Sequence, residues 1–534
     1  MVADRELWQD TPLSTQSNES PKMSGNLLKS TSIVSLMTFA SRILGFVRDM
    51  VCAQIFGASL GFDVFLLAFK IPNFLRRLFA EGAFSQAFVP ILSEYKSTRE
   101  QQEVQTLIHK VSGCLTVVLT LVTIFGILAA PFFVLVFAPG FIGDAARFDM
   151  AVEMLRITFP YLLFISLTAL AGGVFNTYQK FALPAFTPVL LNLSLIFFAI
   201  LVSPYFEKPV VALAWGVFFG GLIQLGLQVP FLGRHGFLPK MKVDWQDEGV
   251  RRILKLMTPA LIGASVMQIN LLVDTIFASF LPVGSLSWLY FSDRLLELPI
   301  GMFGVALATV TLPNLSTSFA KGNDALFRNH LSWALKWCLL IGIPCTLGLC
   351  ILAEPILTTL FHRGAFVARD VVMSAKSLRT LTFGLTAFMM VKILISAFYA
   401  RHNTRFPMKV AVVALLSNAV LNACFIGPLQ HAGLTLASSI SAFVQLGLLS
   451  WVLWREGWVR LEGGLRFTGQ TLFANGLMGG LLFSFTPKLD VWLDYTASYR
   501  AMMLLSLILG AVVLYMGSLW LLGLRPRHLI AERA

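Results

Sequence analysis

Charge is scarce in this sequence. Only 13% of its 534 residues are Asp, Glu, Lys or Arg, 56% are hydrophobic, and the mean hydropathy is +0.75. Soluble domains are about a quarter charged, and a soluble chain this long would divide into several domains with polar surfaces. Too few polar residues are present to cover them. Cysteine is sparse too. Cys52, Cys114, Cys338, Cys345, Cys350 and Cys424 all lie in apolar runs without CxxC spacing. That excludes a disulfide framework or a cysteine metal site. No phosphate-binding Walker loop occurs, so ATP does not drive the chain directly. The seven histidines sit in loops or at segment ends without metal-ligand spacing. No catalytic set is found, and an enzyme is not expected. The apolar runs are continuous and do not alternate, which excludes a barrel. What remains, rich in Phe (46) and Met (18), is an all-α polytopic membrane protein.

Residues 1–25 are polar and mixed in charge, with no basic start, apolar run or cleavage site. They read as a disordered cytoplasmic tail. Fourteen helix-length apolar segments follow, at about 27–56, 62–94, 107–137, 148–178, 181–204, 209–233, 249–282, 285–319, 325–358, 367–400, 405–426, 429–455, 467–486 and 501–523. Pro72, Pro160 and Pro299 are the expected kinks. The net charge of +13 comes from basic residues in short loops. Nucleic acid is therefore not the expected partner. With the N-terminus in the cytoplasm, the cytoplasmic loops carry more than three times as many Lys and Arg as the opposite side. Both termini are then cytoplasmic.

A weak repeat runs through the chain. Pro90, Leu92 and Ser93 reappear as Pro313, Leu315 and Ser316, all 223 residues on (313 − 90). Leu155–Arg156 reappears as Leu378–Arg379, Phe175 as Phe398, Pro184 as Pro407, Ser194 as Ser417 and Leu213–Ala214 as Leu436–Ala437. The unit is six helices. An even number returns the chain to the same side, so the halves are parallel repeats about an axis along the membrane normal. Such bundles enclose a central site and work by alternating access. The expected division is a tail (1–25), a first lobe (26–247), a second lobe (248–456) and two appended helices with a cytoplasmic terminus (457–534).

Ionisable residues near mid-membrane cost about 2.5–3.5 kcal/mol on insertion scales and face a cavity or a partner. Segment 1 carries Arg42, Arg48 and Asp49; segment 2 carries Asp63, Lys70, Arg76, Arg77 and Glu81; segment 8 carries Asp293, Arg294 and Glu297. Asp63, Lys70, Arg77 and Glu81 share a stripe at helical spacing, although Pro72 disturbs its phase. Internal ion pairs such as Arg77–Glu81 and Arg294–Glu297 are one reading. A cavity between the halves that collects these groups is the other. Arginine forks in excess over acids suit an anion such as pyrophosphate. Asp274, Asn418, Asn422 and Ser438 form a second constellation of hard oxygen ligands. It reads either as a sodium site or as ordinary interhelical hydrogen bonding.

The sequence also carries a resemblance. NLLKS at 26–30, SRILGFVRD at 41–49, FKIPNFLRRLFAEGAFSQAFVPILSEY at 69–95 and SWLYFSDRLLELPIGMFGVALATVTLP at 287–313 resemble the MurJ (MviN) family of bacterial lipid II flippases, as do the FNTY and FIGPL stretches. The resemblance runs from about residue 26 onward. It implies the multidrug/oligosaccharidyl-lipid/polysaccharide (MOP) exporter fold, with two six-helix lobes in a V plus two helices lining a lipid-facing groove. It implies transport of lipid II, an undecaprenyl-pyrophosphate glycopeptide, across the bacterial inner membrane for wall synthesis. Cell-wall synthesis enzymes are the expected partners, and one chain suffices mechanically. The family's cationic cavity residues fall here on Arg42, Arg48, Arg76 and Arg294. Asp63, Glu81 and Ser287 fall on further cavity or gate positions. At the Arg76–Arg77 pair the family favours Arg76, whereas the stripe favours Arg77. No cofactor is expected beyond sodium or the membrane potential as driving force. The rivals are a flippase for another polyprenyl-linked glycan, a cation-coupled multidrug antiporter, for which an acidic cavity would be expected, and a membrane glycosyltransferase, which would need large outer loops.

Overall fold

The computed structural model describes residues 20–78, 84–234, 236–238, 240–459 and 464–525. Among them every regular element is helical, and the helices follow the apolar runs read from the sequence. The first half holds α1 (Ser20–Phe56), α2 (Leu60–Arg76), α3 (Ser85–Thr98), α4 (Gln101–Leu128), α5 (Ala130–Phe137), α6 (Ala145–Thr158), α7 (Tyr161–Thr177), α8 (Ala182–Phe197) and α9 (Val211–Arg234). The second holds α10 (Glu248–Ser279), α11 (Ser285–Pro299), α12 (Val305–Ala320), α13 (Asp324–Ile351), α14 (Ala353–Phe361), α15 (Ala368–Thr382), α16 (Leu385–Ala400), α17 (Arg405–Leu429) and α18 (His431–Arg455). Then come α19 (Gly464–Phe485), α20 (Leu489–Asp494) and α21 (Ala497–Leu521). Nine helical spans among the described residues are long and apolar enough to cross a membrane, and α15–α16, bent by 41°, makes a tenth. The charged helices α1, α2 and α10 fall outside that count. Two expectations change at the edges. The tail boundary at residue 25 falls inside α1, which begins at Ser20; residues 1–19 and Glu81 lie outside the described residues.

The repeat is explicit in the backbone. α4 and α13 begin 223 residues apart (324 − 101), as do α6 and α15, and α8 and α17. α4 and α13 both break one residue beyond their ends, at Ala129 (φ −86°, ψ 12°) and Leu352 (φ −87°, ψ 12°). α7 and α16 both end in left-handed residues, Gln179 (φ 59°) and His402 (φ 57°). There the next amide reaches back to close the helix: Lys180 N to Phe175 O at 2.9 Å, and Asn403 N to Phe398 O at 3.0 Å. Two of the three expected prolines stand at breaks. Pro160 separates α6 from α7, and Pro299 leads into a single π-turn, Ile300–Gly304, before α12. Pro72 does not interrupt α2, which runs on to Arg76.

Packing distinguishes the two ends of the bundle. At the predicted outer end, one apolar core runs through both halves. Phe291 stacks on Phe62 (centroids 5.8 Å), lies tilted against Phe361 (4.9 Å) and meets Phe366 edge-on (5.1 Å), a group drawn from α2, α11 and the α14–α15 corner. The Ala365 amide donates to Gln54 O at 2.9 Å. Gly57 (φ +57°) permits that approach, because a Cβ there would sit 2.3 Å from Ala365 O. At the opposite end there are two cores. One joins α3, α4, α7, α9 and the start of α10; the other joins α12, α13, α16 and α18. The halves thus share one core at one end; at the other each has its own, except that the start of α10 packs into the core of the first half, where Arg252 pairs with Glu94 at 2.7 Å. The last helices form a fourth core against α13 around the buried Trp492, where Tyr515 OH donates to Leu340 O at 2.8 Å.

Helix α4 passes the α6–α7 break at Gly126, where a Cβ would lie 2.0 Å from the ring of the buried Phe159. Gly126→Val should therefore lower stability by about 1–3 kcal/mol through overpacking. Thermal unfolding in detergent measures it, and an unchanged midpoint would mean that the ring can move aside.

Candidate functional site

Between the halves lies a cavity of about 400 Å³. Its walls come from α1, α2, α8, α10, α11, α15 and α18, and its polar lining holds Arg48, Lys70, Asn73, Arg76, Arg77, Asp274, Asp293, Arg294, Glu297 and Ser438. Most of the charges that the sequence placed on apolar helices therefore converge on one space. Arg76 and Arg77 both reach it, so the disagreement between stripe and family dissolves. Arg76 Nε donates to Asn73 Oδ1 at 2.9 Å. Asp293 on α11 and Lys70 on α2 also line it, at positions 223 apart (293 − 70) in the repeat. Arg379 on α15 pairs with Glu354 at 2.9 Å.

Directly behind the cavity wall is Asp49, 1% exposed. Arg48 donates from Nε and Nη2 to Asp49 Oδ1 at 2.9 and 2.6 Å. Arg294, from the other half, reaches Asp49 Oδ2 through Nε at 2.6 Å. Tyr290 OH donates to Asp49 Oδ1 at 2.6 Å and accepts from Arg48 Nη2 at 2.8 Å. Asn192 on α8 accepts from Arg48 Nη1 at 3.1 Å and donates to Ser41 O at 3.2 Å. Arg294 also pairs with Glu297 at 3.2 Å, the i,i+3 contact that the spacing predicts. One buried carboxylate thus holds two guanidiniums from opposite halves. Arg42, Lys70 and Arg77 make no ion pair with another described residue; Lys70 and Arg77 line the cavity, whereas Arg42, a predicted cavity residue, is not among its lining residues.

Asp63 and Ser287 are brought together, but at the joined end and outside the cavity. Asp63 Oδ2 accepts from Gly284 N at 2.6 Å, and Oδ1 accepts from Ser287 N at 2.8 Å and from Ser287 Oγ. Gly284 precedes α11 in a left-handed conformation (φ +95°) and has no side chain with which to cap it. Asp63 of α2 supplies the missing cap from the other half, and its charge complements the positive end of the α11 dipole. Trp288 Nε1 donates to Asp370 Oδ1 at 2.9 Å and stacks on His431, extending this seal.

Asp274, Asn418, Asn422 and Ser438 also meet. Asp274 Oδ1 accepts from both amide nitrogens, Asn418 Nδ2 and Asn422 Nδ2, each at 2.8 Å, and Ser438 Oγ lies 3.4 Å from Asn418 Oδ1. With both amides donating, the arrangement is an interhelical hydrogen-bond cluster; a cation would require their oxygens to face inward. Tyr290 and Asn192 were not anticipated. Tyr290 stands four residues before Arg294, hence on the same helix face, and Asn192 is an isolated amide in an apolar run. Both were available signals.

Known proteins resemble this chain throughout its length. The family model for the lipid II flippase MurJ matches residues 52–520. A probable lipid II flippase MurJ of Vibrio cholerae is 45% identical, across 95% of this chain and 98% of the relative. The lipid II flippase MurJ of Burkholderia cenocepacia is 39% identical, across 94% and 98%. A solved lipid II flippase MurJ in an inward closed conformation superposes with a TM-score of 0.75 at 28% identity, covering 91% of this chain and 99% of that one. An inward-facing MATE-family multidrug transporter of the MOP superfamily reaches a TM-score of 0.65 at 13% identity, covering 78% and 94%; this likeness is of fold alone.

The Asp63 cap makes a prediction about the joined end. Asp63→Ala leaves Gly284 N and Ser287 N without their acceptor and should loosen the shared core. In a background where Cys52 is the only cysteine, a membrane-impermeant maleimide should label this 4%-exposed thiol at least several-fold faster than in the parent. Equal labelling rates would show that the aromatic stack alone holds the end shut.

Proposed function

The chain belongs to the lipid II flippase MurJ family, and from that premise we propose that it moves lipid II from the cytoplasmic to the periplasmic leaflet by alternating access. It is a membrane transporter. The observation that carries the reading is the cation-rich cavity between two halves, with one core running through both halves at one end. The Lys/Arg-rich loops support placing the joined end at the periplasm and the opposite end, with both termini, at the cytoplasm of a cell with an inner membrane.

Arg42, Lys70, Arg76 and Arg77 meet the pyrophosphate first, and the sugars and peptide occupy the cavity. The polyprenyl tail stays in lipid beside α19 and α21, whose exposed faces carry Leu472, Phe473, Phe483, Met502, Leu505 and Val513. Arg48 and Arg294 are already held by Asp49, so they join the substrate only as its charge replaces that of Asp49. Such an exchange across the two halves couples capture to closure. One chain supplies both halves, and a monomer suffices. Wall-synthesis enzymes on the far side consume what is delivered.

For reset the reading favours the membrane potential, worth about 2.3 kcal/mol per charge per 100 mV. The amides turned toward Asp274 favour a tether over a sodium seat. Flipping should therefore fall when the potential is collapsed and persist when sodium is replaced by potassium at constant potential. Dependence on sodium would move the coupling to Asp274. The main test is lipid II exposure in cells depleted of their own flippase, read by a periplasmic enzyme that cleaves only externalised lipid II. A charge-assisted hydrogen bond is worth about 1.5–3 kcal/mol, so Arg42→Ala and Arg294→Ala should reduce exposure about 10- to 100-fold at unchanged membrane levels. If the parent chain reaches the membrane and restores nothing, the cargo is another polyprenyl-linked glycan.

A further inference from the structure

Alanine is a better helix former than glycine, so a glycine inside a buried helix needs a reason. Most helical glycines here have an ordinary one. A Cβ on Gly220, Gly221 or Gly479 would meet Leu191, Tyr161 or Leu347, which is close apolar packing. Two differ. A Cβ on Gly45 of α1 would lie 2.6 Å from Nη2 of Arg294 on α11, and the next nearest atom, Asn192 Nδ2, is at 3.5 Å. A Cβ on Gly301, in the π-turn after α11, would lie 2.7 Å from Nη1 of Arg42 on α1. Among the described residues these are the two glycines whose side chain would run into a guanidinium. In both cases the guanidinium belongs to the opposite half. The relation is reciprocal: α1 gives up a side chain for an arginine of α11, and the turn after α11 gives one up for an arginine of α1.

We propose that Gly45 and Gly301 are positioning residues for transport, slots that admit the arginine forks of the opposite half and fix where they present to the substrate's phosphates. The inference rests on the capture reading above. The Gly45 slot lies three residues before Arg48 and four before Asp49 on the same helix. It lets Arg294 come alongside α1 far enough for Nε to reach Asp49 at 2.6 Å. A methyl group there displaces the guanidinium from the carboxylate without removing any charge. The Gly301 slot acts on an arginine that has no ion pair among the described residues, so its clearance decides where Arg42 rests. The π-turn widens the backbone at this point, one turn beyond Glu297. Both obstructed atoms are ends of flexible side chains, so the alanine variants should still fold.

The experiment pairs each glycine with its arginine. Gly45→Ala and Gly301→Ala should reach the membrane at parental levels and reduce lipid II exposure about tenfold or more, since a shift of about 1 Å in a positioning group costs up to ~100-fold. Thermal unfolding supplies a readout independent of transport. Gly45→Ala should lower the unfolding midpoint when Arg294 is present and not lower it in an Arg294→Ala background, because the obstructed group is gone. Such non-additivity identifies the contact. Gly301→Ala should behave likewise with Arg42→Ala. Additive effects, or alanine variants with parental exposure, would overturn the slot proposal. If Arg42→Ala and Arg294→Ala themselves retain full exposure, it is the capture reading that fails, and the unfolding cycle still reports whether the slots exist.

Discussion

A buried carboxylate cannot stand alone in a low-dielectric interior, and Asp49 is the clearest instance of that constraint. Its partners come from both halves of the molecule, Arg48 on the same helix and Arg294 on α11. Removing one member of such a buried pair typically costs about 3–5 kcal/mol, because the remaining charge has nowhere to go. The two lobes are therefore not free to separate at this level unless another charge takes the place of one partner. Much of the surrounding structure follows. Tyr290 donates to Asp49 and Asn192 accepts from Arg48, Gly45 leaves room for Arg294, and the cavity opens immediately beside them.

The second constraint is mechanical and comes from duplication. Each half breaks its helices at equivalent positions, so each can bend where the other bends. Ala129 and Leu352 share backbone angles to within a degree, and Gln179 and His402 share a left-handed close. The α6–α7 break at Pro160 has its counterpart in the 41° bend between α15 and α16, at residues 383–384. One end of the bundle is fastened by a shared aromatic core and by the Asp63 cap on α11. The other end has two separate cores, one of which takes in the start of α10. In the proposed alternating-access cycle the lobes rock about the fastened end.

Much of this was legible in the sequence, and the limits have physical reasons. The all-helical apolar architecture, the 223-residue repeat and the convergence of Arg48, Lys70, Arg76, Arg77, Asp293 and Arg294 all follow from periodicity and from the cost of charge in an apolar helix. The bend at residues 383–384 was missed because only the first half marks it with a proline, although the repeat itself points there. The charge state of the site was misread more deeply. Counting arginines against acids treats each charge as free, and adjacent residues such as Arg48 and Asp49 point in different directions on an ideal helix. Long side chains defeat that rule by folding back, which no spacing argument anticipates. Asp63 was placed near the cavity because its helix is; its role as a cap on another helix depends on Gly284 lacking a side chain, a tertiary fact.

These pieces bear on how a flippase can bind a highly charged head group and still let it go. A cavity of uncompensated arginines would hold pyrophosphate tightly in every conformation, and equal affinity in both states shifts no equilibrium. Here the cations fall into two classes. Arg42, Lys70 and Arg77 make no ion pair with another described residue, and in the proposed mechanism they provide attraction at entry. Arg48 and Arg294 carry a resident competitor, Asp49, whose geometry depends on how closely α1 and α11 approach. In the proposed mechanism, affinity for the head group varies with the distance between the lobes, because Asp49 competes for the same arginines when the lobes return to this arrangement. Release is then driven by the approach of α1 and α11, with Gly45 on α1 and Gly301 in the turn after α11 leaving room for the arginines of the opposite half.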